Sequence, residues 1–157
     1  MGYRIDPDEL RVATYGAKVT RATATLPQST SETLFTVATG KVVVTLVIGT
    51  PTVAIQDTAN NTKLQFDPDN GAATVDLSAA LDVAGIPIDR YITLDSAATD
   101  ALKTAESVTP PANMTDAPGL LLGPGLIILD CAASATGSVT WDLFYKALTA
   151  GARVVAV

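Results

Sequence analysis

Histidine is absent from the 157-residue chain, and cysteine occurs once, at position 131. The missing imidazole removes the usual general base near neutral pH and the usual partner of a nucleophilic serine or cysteine. A single thiol forms no intrachain disulfide, and with no second Cys or His there is no ligand set for zinc. Aromatics are scarce, with one Trp, three Phe and four Tyr. No long hydrophobic run exists either. The most apolar stretch, Val42 to Ile48, falls far short of the ~20 residues that a helix needs to cross hydrocarbon, and Lys41, Thr45 and Pro51 interrupt it and its surroundings. The start, "MGYRIDPDEL", lacks the charged-then-apolar order of a secretory signal, which predicts a protein made and kept in the cytoplasm until lysis.

Charge is also limited. Charged residues make up 17% of the chain, with 10 basic against 16 acidic and a net charge of −6. Phosphate backbones therefore find little attraction, and nucleic acid is not an expected partner. The distribution is uneven. Arg4, Arg11, Lys18 and Arg21 outnumber Asp6, Asp8 and Glu9, so residues 1–21 carry +1 and the remainder −7.

What the chain does have is β-branched and alternating sequence. "KVTRATATL" from Lys18 sets Val19, Arg21, Thr23 and Thr25 on one face and Thr20, Ala22 and Ala24 on the other, the period of a strand. "TLFTVAT" and "KVVVTLVIG" flank Gly40 and read as a hairpin. "KLQFD", the turn "DPDNG" and "AATVDLSAAL" follow. Short strands and turn signals at a spacing of roughly 8–12 residues predict an all-β fold, a β-sandwich or β-barrel, in one domain over residues 17–157. Two runs, "VVVTLVI" and "LIILD", have no polar face and predict central strands with both faces covered. In "SVTWDLFYKAL", Val139, Trp141, Leu143 and Tyr145 are predicted to enter the core. A single short helix is expected at most, over "DSAATDALKTAES" (95–107), where Ala98, Ala101, Leu102 and Ala105 have helical spacing.

Residues 1–16 show neither periodicity, and Pro7 with Asp8 and Glu9 breaks any long strand. They read as an extended arm, either a frayed terminus or a docking element. Tyr3, Arg4, Arg11 and Tyr15 are the candidate interface residues, a mixture enriched where proteins meet.

No motif carries chemistry. "DPDNG" places Asp67 and Asp69 beside Gly71 but lacks the remaining oxygen ligands of a calcium loop. The glycines of "GLLLGPG" precede neither a Lys-Ser/Thr pair nor a helix. Cys131 beside Asp130 has no base to form a thiolate. No catalytic residue, metal or cofactor is expected. A carbohydrate-stacking role for Trp141, Tyr145 or Tyr91 is the alternative for the aromatics.

The segments "TGKVVVTLVIG", "TVAIQDTANNTKL" and "ATGSVTWDLFY" carry a likeness that spacing does not give. Over roughly residues 30–147 the chain resembles small virion proteins encoded among the structural genes of tailed bacteriophages, of the capsid decoration or cement type. The resemblance implies a non-enzymatic β-rich subunit, often a homotrimer, on the outside of the virion capsid. It also implies the major capsid protein as partner, and an arm laid across neighbours. A tail or head–tail junction component is the nearest alternative. Independently, a mean hydropathy of +0.33 is high for a chain of this size. That points to apolar surface shared between subunits.

Overall fold

The computed structural model describes residues 6–94, 102–106 and 119–157. One helix, α1 (Pro7–Tyr15), precedes the strands β1 (Ala17–Thr25), β2 (Ser31–Thr39), β3 (Val42–Val53), β4 (Asn61–Pro68), β5 (Val75–Asp76) and β6 (Leu81–Asp82). Then come β7 (Arg90–Thr93), β8 (Lys103–Glu106), β9 (Leu120–Leu122), β10 (Gly125–Cys131), β11 (Ser138–Ala147) and β12 (Arg153–Ala156). They form two six-stranded sheets packed face to face, so the all-β sandwich expected from the alternation is the fold. The first sheet runs β1-β11-β3-β7-β8, with β9 alongside the other half of β3. The second runs β12-β2-β10-β4-β5, with β6 also on β4. Every pairing is antiparallel.

The core follows the two-residue period. On β11, Val139, Trp141, Leu143 and Tyr145 are all buried, and they meet Ile127 and Leu129 of β10 and Phe35 and Val37 of β2 in one apolar cluster. Trp141 lies opposite Gly49 of β3. A Cβ on Gly49 would sit 2.8 Å from the indole ring. Glycine is thus the residue that lets the largest core side chain lie flat across the neighbouring strand.

Three expectations are corrected. Residues 31–39 and 42–53 do not form a hairpin: β2 and β3 lie in different sheets. Gly40, at φ +66°, turns the chain from one layer to the other, pressed against Thr149. Each strand has an apolar face, and facing each other across the core buries both, which side-by-side pairing does not. Gly123-Pro124 makes the same change of sheet between β9 and β10. The helix expected over 95–107 is also absent where that span is described. Residues 103–106 form β8, paired with β7 in the register Arg90↔Glu106 to Thr93↔Lys103. A ladder offered by a neighbouring strand overrides the intrinsic helical preference of alanine. Residues 95–101 and 107 of the span lie outside the described residues.

The third correction concerns the two central strands. β3 is paired on both sides, by β11 and by β7 and β9, and β10 lies between β2 and β4. Only one face of each is covered. Along β10 the side chains alternate between buried and half-buried, as they do along β3 apart from the β-bulge at Thr45. The outer rows keep their apolar residues, and among the described residues no third layer lies over them.

Candidate docking surface

Residues 7–15 are helical, which corrects the expectation of an extended arm across 1–16. Asp6 is the N-cap, its carboxylate accepting the Asp8 N–H at 2.9 Å, and Pro7 occupies the first turn with Asp8 and Glu9. These are helix-start signals. The sequence reading took Pro7 as a breaker of strands, which it also is. Tyr3 and Arg4, two of the four candidate interface residues, lie outside the described residues.

The helix ends on Gly16, whose N–H bonds the Val12 carbonyl at 2.8 Å. Gly16 has φ +93°, and a Cβ there would lie 2.0 Å from the Tyr145 carbonyl oxygen. This close approach anchors the last turn on the sandwich. The Thr45 hydroxyl donates to the Tyr15 carbonyl, and the Tyr15 ring meets Phe144 edge-on at 6.0 Å. Beyond this anchor α1 receives no cover: none of its residues is buried, and Leu10 and Val12 are 57% and 49% exposed. Two positions apart on a helix, they point to nearly opposite flanks. Arg11 and Tyr15, one turn apart, share a third side, with Arg11 paired to Asp8 at 3.4 Å.

Beside the anchor lies the outer face of the first sheet, whose rows follow from the register. Lys146, Val43 and Leu121 face one another across β11, β3 and β9. Lys18, Phe144 and Leu46 make the next row, and Thr20, Asp142, Ile48 and Thr93 the one after. Leu121 is 62% exposed, while Val43, Leu46, Ile48 and Phe144 are half-buried. A hollow of about 390 Å³ opens over the third row, lined by Ile48, Thr50, Tyr91, Thr93 and Asp142. Its one carboxylate is already engaged, since Asp142 accepts from Lys18 at 2.8 Å and from Thr20 at 2.5 Å.

The other candidates are placed plainly. Trp141 and Tyr145 are in the core and present no stacking face, which leaves Tyr91 alone of the three proposed sugar platforms. Asp67 and Asp130 lie on adjacent strands of the second sheet, opposite Leu126 and Lys63. Four residues of strand separate those positions, about 13 Å, too far for a cooperating acid and base. Among the described residues no three His, Cys, Asp or Glu side chains cluster as a metal site.

Cys131 is buried, and burial pushes its thiol pKa up, with a smaller opposing effect from the Thr62 hydroxyl at 3.5 Å. It stays a protonated core residue. Neighbouring Asn60 is fully buried and ties three loops. It donates its N–H to Asp82 at 2.9 Å, accepts from Val83 N–H at 3.1 Å, and accepts at its side-chain oxygen from Ala133 N–H at 3.0 Å. Its amide nitrogen reaches no acceptor at hydrogen-bond distance, so its pull on the Cys131 thiol is weak beside that of burial.

Of the four residues named from the sequence, Arg11 and Tyr15 lie on α1; exposed Leu10 and Val12 and the outer row of β3 were not named. The missed signal is the β-branched run itself: alternate residues of "VVVTLVI" face outward, where a polar choice would be ordinary. The chain matches no protein-family model, no curated protein sequence and no solved structure.

Proposed function

We propose that this chain is a structural subunit of a tailed-bacteriophage particle. In this reading it decorates and reinforces the capsid lattice by bridging major capsid protein subunits, as a homo-oligomer, with α1 as its docking element. The role is mechanical and involves no reaction. The observation that carries the reading is α1 itself. Nine residues are below the ~12–15 at which isolated helices hold in water, no residue of α1 is buried, and apolar side chains stand on opposite flanks. Such an element gains its stability when a neighbouring subunit covers it. The resemblance of residues 30–147 to phage virion proteins supplies the setting. On a lattice, many weak contacts of this kind sum to firm attachment through effective concentration.

The test is occupancy on purified phage capsids. Deleting residues 1–16 is expected to leave the sandwich folded by circular dichroism and to lower occupancy by at least about tenfold, the loss of one linked contact. Unchanged occupancy refutes the docking role. Imaging the particle separates a capsid site from a tail or head–tail junction site.

A further inference from the structure

We propose that the surface receiving α1 is the outer face of the first sheet on a second copy of this chain, along the row Lys146–Val43–Leu121. The proposal rests on the reading of α1 as a docking element and names its neighbour. Gly16 and the Tyr15–Phe144 contact hold the last turn of the helix against its own sheet, and no part of that sheet buries Leu10 or Val12. Among the described residues nothing covers them, and a second molecule would supply that cover.

Charge selects which one. The first turn of α1 is acidic: Asp6, Asp8 and Glu9 precede Arg11, the first cation of the helix, and among the described residues neither Asp6 nor Glu9 forms an ion pair. The body as a whole is acidic too, so most of its surface repels this end. The apolar row on β3 is a place where cations offset this repulsion. Its rim carries Lys146, and Lys41 stands at the entry to the strand. Both are exposed, and neither forms an ion pair among the described residues. Leu121, at 62% exposed, stands at the end of the row across β3 from Lys146 and gives Leu10 an apolar partner. In this contact apolar side chains meet apolar side chains, and the Glu9 carboxylate meets the lysine ammonium groups. Helix and receiving row are different surfaces, so a one-way contact is heterologous, and it ends in a ring where the rotation between copies closes and in an open array where it does not.

The experiment uses the full chain in three forms of one assay. By sedimentation equilibrium the wild type is expected to associate at micromolar concentration, and a monomer throughout that range overturns the proposal. Glu9→Lys and Lys146→Glu each lie on exposed positions and are each expected to weaken association about tenfold. Their combination in one chain is expected to recover most of the loss, and a double variant no better than the sum of the singles overturns it.

Mixing Leu10→Cys with Leu121→Cys under mild oxidation is expected to give a mixed disulfide between chains, buried Cys131 staying unreactive. Its absence overturns the pairing. So does ring closure within one chain carrying both cysteines, which means that α1 folds back on its own sheet. If these variants self-associate like wild type yet lose capsid occupancy, the neighbour is a shell subunit: the inference fails and the docking role stands. If occupancy is also unchanged, both fail.

Discussion

Gly49 shows how single side chains set the shape of this molecule. It leaves room for Trp141, 1% exposed and the only tryptophan, to lie across β3. Gly49→Ala puts a methyl 2.8 Å from the ring, and a fully buried indole has nowhere to retreat. The expected cost is about 1–3 kcal/mol, read from urea midpoints with tryptophan emission as the probe. The emission itself should be blue-shifted in the native state, and an emission typical of water-exposed indole contradicts the placement. Asp82 offers a pH test. Its carboxylate accepts the Asn60 and Ala84 N–H groups, at 2.9 and 3.1 Å, and these bonds hold its pKa below the ordinary 3.8. A depressed carboxylate adds stability above its unfolded pKa and gives that up as pH falls through the folded value. Wild type should therefore exceed Asp82→Ala in stability at neutral pH, with the gap closing below pH 3.8. A gap that persists unchanged into strong acid rules out this linkage.

At the scale of elements, the two sheets are joined by more than apolar contact. Arg21 of β1 sits 8% exposed at the margin where the first sheet approaches the second. It donates to Glu32 of β2 at 2.5 Å and to the Val157 carbonyl, just past β12, at 3.3 Å. Its guanidinium thus links the edge strand of one sheet to two strands of the other. Because Glu32 is 45% exposed, water screens part of the attraction, and the loss on Arg21→Ala should be about 1–3 kcal/mol, below that of a fully buried pair. Arg21→Met keeps the aliphatic stem and should recover much of that. If methionine is no better than alanine, the packing of the stem contributes little. Elements were legible in the sequence where the period of two was clean. The inward set of β11 is the set that the alternation names, because a half-buried strand has only one way to hide four large side chains. The short β5, β6 and β8 were not legible. Two to four residues carry too little pattern, and it is the neighbouring ladder that makes them strands.

For the whole molecule, changes of sheet are decisive, those at Gly40 and Gly123-Pro124 among them. A turn signal announces that the chain reverses. Whether it reverses into the same sheet or the opposite one depends on which faces must be buried together, and that is a property of all the strands at once. The same holds for the candidate site. Val43, Lys146 and Leu121 are far apart in sequence and become one row only through the β3–β11 and β3–β9 registers. By itself the sequence determined the β class, the inward residues of the long strands and the lack of histidine or paired cysteine for chemistry, because composition and a period of two are local facts. Tertiary structure alone decided that the helix at residues 7–15 is left unburied and that, among the described residues, the outer face of β3 has no layer above it and Lys41 and Lys146 beside it form no ion pair. Exposure and adjacency exist only once distant segments have been brought together.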